Sequence, residues 1–382
     1  MKIARKPGKL LILFSLLLAA PFTVRSFYSS ANSLDTTDPH ITQNTEEQEE
    51  NINDLIMHHI ADAHDFHILD WKDHSISIPL PVILYTKEGL VTFMSNAFHH
   101  DDHGRVVVEK GSQRFVKYHE KIYYASEKAD SHGSFVNKGD DGAILNDKPI
   151  DISITKNVFS LFLTAFLVVF IAFKSASNYK TNSRAPKGFA SFIEPILVFI
   201  RDEIALQNIG EKYYERFVPY LITLFFFIWI ANMLGLMPVF PGGANLSGNI
   251  AFTMSLALLT LILMIFNASG DFWKHTFWMP GVPVPMKLLL APIELIGIFT
   301  KPFALMIRLF ANMTAGHIVI LSLIGLIFIF KSVAVAPASI LLTLFIYLIK
   351  VFISLLQAYI FTLLSALFIG QTMATHEHDD HH

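Results

Sequence analysis

Glu294, Lys301 and Arg308 follow one another at intervals of seven residues, in a segment otherwise filled with Leu, Ile, Met and Phe. Seven residues fall about 20° short of two full helical turns, so the three side chains share one helix face. Asn312 extends the same stripe four residues further on. An ionisable side chain inside an apolar span costs several kcal/mol and by default marks an ion path. Arg308 is the sharpest case, because its guanidinium does not deprotonate in practice and is a fixed positive charge. Snorkelling to an interface accounts for Lys301 but poorly for Arg308, which has long apolar-rich sequence on both sides. A second apolar segment carries Lys350 and Gln357, again seven apart, with Ser354 between them on the same face. Gln357 alone would pass for an amide that hydrogen-bonds between spans. Two polar stripes on two neighbouring helices read instead as an aqueous path.

The elements that must carry these residues are too long for an ordinary span. Residues 286–330 make a helix of about 68 Å at ~1.5 Å per residue, and residues 337–372 one of about 54 Å, against a hydrocarbon core of ~30 Å. Strong tilt, bending or re-entrance is required, with Pro292 and Pro302 as candidate kinks. The short link 331–336 makes the pair a helical hairpin. Upstream, residues 158–173 form a first span followed directly by Lys174, Lys180, Arg184 and Lys187, and positive charge marks the cytoplasmic side. Residues 189–206 mix apolar residues with Glu194, Arg201, Asp202 and Glu203, so they are expected along the interface. Residues 220–240 return outward to Pro241-Gly-Gly, and 250–266 go back in, delivering Asp271-Phe-Trp-Lys-His as a cytoplasmic loop. By this alternation the hairpin tip is external and the C-terminus cytoplasmic. The expected class is an all-α membrane protein with about five membrane helices, including the long tilted hairpin, behind a small β-rich extracytoplasmic domain.

Composition supports this division. Hydrophobic residues make up 52% and charged ones 16%, against roughly 25% charged in soluble domains, and most of the charge precedes Asp151. A net charge of −3 gives no reason to expect nucleic acid as a partner. Cys is absent, which excludes disulfides, Cys-ligated zinc, iron–sulfur clusters and thiol nucleophiles. Residues 1–31 open with Lys2, Arg5, Lys6 and Lys9, continue with a short apolar core and end near Ser29 and Ala31, the pattern of a secretory signal peptide. Residues 32–150 read as an extracytoplasmic, His-rich, partly β domain behind an acidic lead at 32–54. Residues 74–79 and 82–85 read as strand, Lys87-Glu-Gly as a turn and 90–93 as the returning strand, with 105–109 and 114–124 repeating the hairpin. Eleven of the 17 His lie between His40 and His132. Their spacings match no closed tetrahedral zinc motif, so they are expected on a solvated surface, and neither a metal nor a cofactor is assigned. Residues 151–372 form the membrane domain and 373–382 a His-rich cytoplasmic tail.

The run Arg308-Leu-Phe-Ala-Asn-Met-Thr-Ala-Gly316, preceded by Glu294 and Lys301-Pro302 and followed by Gln357-Ala-Tyr-Ile-Phe, resembles subunit a of the F-type ATP synthases. The likeness extends to Asn232-Met-Leu-Gly-Leu-Met-Pro238 and covers roughly residues 150–372. The long exported N-terminal domain resembles extensions seen in only some bacterial members. The resemblance implies a non-enzymatic stator subunit in the bacterial inner membrane, beside a ring of c subunits that each carry one carboxylate in the membrane. Peripheral-stalk subunit b and the other synthase subunits are the further partners it implies. Two offset half-channels would bring protons to the ring carboxylate, with Arg308 between them. The proton path implied for this chain comprises Gln357, Asn312, His317, Lys350, Glu294, Lys301, Asn232 and Ser354. His317 and Lys350 fall on the external side of Arg308, and Glu294 and Lys301 on the inward side. Other members usually pair a carboxylate with a His at the positions of His317 and Lys350. Here neither is acidic, and Asp151 is a candidate replacement. The choice between H⁺ and Na⁺ resembles a property of the ring carboxylate pocket, not of this chain.

Two other classes compete. A secondary ion or metal transporter also places charged residues in spans, but usually with inverted repeats or Gly/Pro-broken helices in matching halves. An assembly protein with a metal-binding exported domain would use its spans only as anchors. The stripe Glu294/Lys301/Arg308 speaks against it, since an anchor has no need to bury charge.

Overall fold

The computed structural model describes residues 61–71, 74–130, 132–139, 143–181, 188–237, 240–279, 281–330 and 335–373. The expected signal peptide, the acidic lead and nearly all of the His-rich tail lie outside the described residues, as do positions 331–334 of the hairpin link.

The polar domain is built from three small antiparallel sheets. Strands β1 (Asp65–Trp71) and β2 (His74–Pro79) form one hairpin. Strand β3 (Pro81–Thr86) pairs with β4 (Gly89–Met94) across the two-residue loop Lys87-Glu88, as the turn signal predicts, and with β8 (Ile150–Asp151) on its other edge. Strands β5 (Val108–Lys110), β6 (Gln113–Tyr118) and β7 (Lys121–Tyr124) complete the set. Alternation in β3 points Val82 and Leu84 inward, where they join Phe98, Val108, Phe115 and Ile122 in one core.

Two expectations change here. The single strand expected at 114–124 is two strands, broken at His119-Glu120, where both residues have positive φ (46° and 57°). That is the conformation a two-residue hairpin loop requires, and neither residue type announces it in the sequence. Asp102 holds the turn: its carbonyl accepts the His119 N–H at 3.1 Å, and its Oδ1 accepts the Glu120 N–H at 2.7 Å. The β domain also reaches one residue past the expected boundary at 150, because Ile150 and Asp151 pair with Tyr85 and Leu84.

The helical half comprises α1 (Lys156–Thr181), α2 (Phe189–Phe199), α3 (Tyr214–Leu236), α4 (Ile250–Phe266), α5 (Gly270–Phe277), α6 (Val284–Phe330) and α7 (Val335–Met373). Helices α1, α3, α6 and α7 are long and apolar enough to cross a membrane, and α4 with α5, bent by 99°, adds a fifth if the pair is one span. The chain is therefore a membrane protein, with four or five helical spans among the described residues behind a small β-rich region. Helix α2 is not among the spans. It continues into a wide π turn at Ile200–Leu206 that keeps Ile200, Ile204 and Ala205 buried.

The loop expected at Asp271-Phe-Trp-Lys-His is instead α5. Ser269 caps it by accepting the Phe272 N–H at 3.1 Å, Asp271 lies in the first turn, and Lys274 and His275 lie in the last. Those charges match the helix dipole at both ends.

Helix α3 is the centre of the bundle, with 72% of its apolar window buried, against 22% for α6 and 11% for α7. The hairpin therefore lies on the outside, leaving most of its apolar surface open. At ~1.5 Å per residue α6 and α7 reach about 70 and 58 Å. Helix α6 runs unbroken through Pro292 and Pro302. Leu305, Leu309 and Met313 of α6 and Phe361, Ala366 and Ile369 of α7 pack into the same cluster as Leu221, Leu224 and Ile228 of α3. Polar bonds add to this packing: Tyr220 Oη lies 2.7 Å from Thr260 Oγ1, which lies 3.4 Å from Ser365 Oγ, joining α3, α4 and α7.

Phe115 is fully buried in the polar domain. Phe115→Ala should cost about 3–5 kcal/mol. The expected readout is a lower temperature at which the β5–β7 region becomes protease-sensitive, and an unchanged transition would remove Phe115 from the core.

Candidate functional site

Three polar contacts tie α6 to α7. Lys301 Nζ donates to Gln371 Oε1 at 3.0 Å, Asn312 Nδ2 donates to Gln357 Oε1 at 2.9 Å, and Lys350 Nζ donates to the Asn312 carbonyl at 2.8 Å. Partner numbers rise along α6 as they fall along α7, so the helices are antiparallel and the two polar stripes face each other. Gly316 makes the approach of Lys350 possible. A Cβ there would collide with Nζ and Cε of Lys350 and stand 2.8 Å from its Cδ.

Arg308 lies at the middle of α6 with its side chain exposed, and among the described residues it makes no hydrogen bond or ion pair. Together with Lys301, Thr300, Leu305, Leu364 and Phe368 it lines a groove of about 380 Å³ between α6 and α7. A fixed cation in such a position is costly unless an anion from outside the chain meets it. Glu294 is half-buried on the same stripe and forms no ion pair with Lys301 among the described residues.

His317 leaves the hairpin and reaches α3. Its Nδ1 lies 2.9 Å from the Met313 carbonyl and its Nε2 lies 3.0 Å from the Gly235 carbonyl. Both partners only accept, whereas a neutral imidazole has one N–H. Either tautomer thus satisfies one carbonyl, and the protonated ring satisfies both. Moving the proton of the neutral ring from one nitrogen to the other exchanges one of these hydrogen bonds for the other. Tyr347 Oη donates to the neighbouring Leu236 carbonyl at 2.8 Å. Gly235 and Leu236 end α3, where carbonyls lack intrahelical partners, so the hairpin supplies them.

Asn232, one turn earlier, is fully buried and its Oδ1 accepts a hydrogen bond from the Ser247 hydroxyl. Among the described residues Asn232 Nδ2, Ser354 Oγ and Gln357 Nε2 are buried with no hydrogen-bond partner. Helices α3 and α7 therefore carry buried amides and a hydroxyl with spare hydrogen-bonding capacity.

The expected residues do not all meet. His317 and Lys350 flank the same turn of α6, but one bonds toward α3 and the other toward Asn312, and no hydrogen bond joins them. Asp151 does not complete them: its Oδ2 lies 3.1 Å from His64 Nε2 in the polar domain. His64 is itself 1% exposed, which corrects the expectation of a solvated surface for that histidine. Among the described residues no three His, Asp or Glu side chains are arranged to hold a metal ion. Gly316, Gly235, Tyr347 and Gln371 are not among the residues expected at the site. Their signal is tertiary, apart from Gly316, the one residue without a side chain in the Arg308 run.

Residues 158–370, more than half of the chain, match the family model described as ATP synthase A chain. The chain belongs to that family. It is 47% identical over 237 residues to ATP synthase subunit a of Chloroherpeton thalassium, covering 60% of this chain and 69% of that one. It is 43% identical over 244 residues to ATP synthase subunit a of Myxococcus xanthus, covering 62% and 78%. Against the Anaeromyxobacter sp. subunit a the identity is 40% over 259 residues, covering 66% of this chain and 62% of the relative. Residues 55–152 match a second model, described as a domain of unknown function (DUF8433). The ATP synthase A chain match covers the whole hairpin site, and none of these likenesses favours the transporter alternative.

Gly316→Ala should force Lys350 off the Asn312 carbonyl and weaken the hairpin. Adding Lys350→Ala removes the collision, so the double variant should assemble better than Gly316→Ala alone. Additive effects in membrane-extracted complex would show that the two residues do not meet.

Proposed function

We propose that this subunit a is the proton-translocating stator of a rotary ATP synthase, forming two half-channels against a ring of c subunits. It is not an enzyme on its own; catalysis belongs to the complex. The reading is carried by Arg308, a permanent cation at mid-helix on the open face of the hairpin with no counter-charge among the described residues, beside the Asn312–Gln357 bond. Arg308 stabilises the ionised form of an approaching ring carboxylate, so its proton departs toward the exit side and the paired carboxylate crosses the barrier. The same charge repels protons that would otherwise pass straight from one half-channel to the other. One charge moved across ~100 mV is worth about 2.3 kcal/mol, so rotation must add several transfers for each ATP made.

Gln357 and Asn312 hold the hairpin closed beside Arg308 and offer neutral hydrogen bonds to the passing carboxylate. His317 and Lys350, with Asn232 and Ser354, belong to the external half-channel, where a backbone carbonyl facing each ring nitrogen fixes the position of His317. Glu294 and Lys301 belong to the inward half-channel, and the groove between Lys301 and Arg308 leads toward it. The long tilted hairpin 286–372 presents these groups to the ring, while peripheral-stalk subunit b holds the stator against rotation. In this reading residues 1–31 are a cleaved signal, residues 32–150 lie outside the bacterial inner membrane, and the tail 373–382 is cytoplasmic.

Arg308→Ala should abolish ion-driven ATP synthesis while the subunit stays in the membrane. Lys at this position should not fully substitute, because an ammonium can lose its proton at a low-dielectric site. Gln357→Ala should impair coupling less, as it removes a neutral partner. Near-normal coupled synthesis in Arg308→Ala would overturn the mechanism.

Lys350→Glu restores a carboxylate beside His317 and should remain active with a shifted external pH optimum. Lys350→Met should lose the part of the external pH response that depends on the lysine. An unchanged pH profile in Lys350→Met would make Lys350 an interfacial anchor.

A further inference from the structure

The short segment Asp62–Phe66 joins three parts of the molecule. Asp62 Oδ2 accepts the Thr155 hydroxyl at 3.0 Å, its Oδ1 accepts the Asn157 backbone N–H at 3.1 Å, and the Ala63 carbonyl accepts the Lys156 N–H at 3.0 Å. These N–H groups open α1, where helix donors have no intrahelical partner. Thr155 supplies the ordinary cap, its Oγ1 accepting the Val158 N–H at 3.5 Å, and a segment 95 residues upstream adds acceptors for the N–H groups of Lys156 and Asn157.

His64 then fastens this segment to the polar domain. Its Nε2 lies 3.1 Å from Asp151 Oδ2, its backbone N–H donates to Glu120 Oε2 at 3.4 Å, and its carbonyl accepts the Leu80 N–H at 3.3 Å. Its buried Nδ1 has no hydrogen-bond partner among the described residues and faces Glu120 Oε2 at 3.9 Å. Every element around the imidazole carries charge. Glu120 comes from the β6–β7 turn and Asp151 from β8. Lys117 of β6 pairs with Glu120 at 3.2 Å and Asp102 at 3.7 Å, Lys156 opens α1, and Asp62 and Asp65 flank His64 in its own segment. Among the described residues these carboxylates outnumber the lysines, His100 lies 3.1 Å from Asp65, and a protonated His64 adds positive charge between Asp151 and Glu120.

Phe66 carries the connection onward. Its ring meets Phe159 of α1 edge-on at 5.3 Å and Phe240 at 5.4 Å. Phe240 lies just beyond α3, whose last carbonyls hold His317 and Tyr347.

We propose that Asp62, His64 and Phe66 form a proton-dependent clamp through which the polar domain positions the head of α1 and the connection after α3. The clamp thereby sets the alignment of the His317 end of the external half-channel, and this last step rests on the proposed role of His317. All three are positioning residues. Burial alone would push the His64 imidazolium toward its neutral form. The hydrogen bond to Asp151 and the charges of Asp151 and Glu120 outweigh burial and lift its pKa to about 9, above the ordinary 6.5. A raised pKa means that the clamp is fully set below pH 6.5 and is released as external pH climbs through about 9. Loss of that proton leaves Asp151 and Glu120 facing each other across a neutral ring.

The test is hydrogen exchange on the assembled synthase in detergent between pH 6.5 and 10.5, corrected for the intrinsic pH dependence of exchange. In the wild type, protection of the amides at 156–160 should fall by on the order of a hundredfold, since each unit of pKa displacement is a factor of ten. The fall should begin near pH 6.5, run about tenfold per pH unit and level off near pH 9. His64→Gln should show weaker protection at pH 7 and no step, whereas Asp62→Asn should weaken protection at both ends and keep the step. Proton pumping by the wild type should decline over the same external pH range, and pumping by His64→Gln should not. Flat wild-type protection across the range overturns the clamp without any variant, and so does an unaltered step in His64→Gln. Protection that steps while pumping does not would confine the clamp to the polar domain and overturn its link to the half-channel. These outcomes are independent of Arg308→Ala, so failure of the clamp and failure of the stator mechanism are distinguishable.

Discussion

A guanidinium that keeps its charge in an apolar span is the constraint on which the rest of the hairpin depends. Arg308 cannot neutralise itself, and no carboxylate of the described chain comes to it. Its neighbours are arranged so that the charge stays accessible. Leu305 and Leu309 pack inward against α3, while Arg308 and Ile307 remain exposed. Burying Arg308 inside the bundle would have required an internal acid, and in the proposed mechanism that acid would have cancelled the charge offered to the ring carboxylate. The outward-facing hairpin fits the proposed mechanism, because only a helix on the outside of the bundle can present such a charge to a partner subunit.

The remaining architecture holds this exposed pair of helices still. Helix α3 is the buried axis, and its C-terminal carbonyls at Gly235 and Leu236 receive His317 and Tyr347 from α6 and α7. Backbone groups that a helix end leaves unpaired thus serve as fixed points for the hairpin, and one of the two contacts uses a side chain of the proposed proton path. At the opposite end, Gly370 lets α7 approach the backbone of Asn208, and Ser269 donates its N–H to the Thr372 carbonyl at 2.8 Å. The hairpin is therefore tied down near both ends and left open at Arg308.

Local periodicity makes the hairpin legible in the residues alone. The seven-residue spacing of Glu294, Lys301 and Arg308 and the apolar length of both helices dictate their class, their antiparallel pairing and their polar faces. What stays hidden depends on contacts between distant segments. Nothing around Gly316 says that Lys350 fills the space above it, and nothing in His317 reveals that Gly235, 82 residues earlier, accepts its N–H. The histidine-rich domain misleads for a similar reason. Spacing along the chain suggests a solvated surface, but Asp151 and Glu120 reach His64 from 87 and 56 residues away. The α5 helix is hidden by its shortness, since a single turn or two gives too little apolar periodicity to outweigh its charged residues.

The absence of cysteine makes the central claim, that the Arg308 face of α6 meets the ring carboxylate, open to a direct measurement. Ile307→Cys or Ala311→Cys in this subunit, combined with a cysteine beside the carboxylate of subunit c, gives a pair whose oxidative cross-linking can be counted in assembled membranes. The account predicts rapid disulfide formation at both positions and blocked rotation once it forms. Phe166→Cys on the exposed face of α1 should stay unlinked. Cross-linking at Phe166→Cys with none at Ile307→Cys or Ala311→Cys would place the ring against a different face and contradict the account.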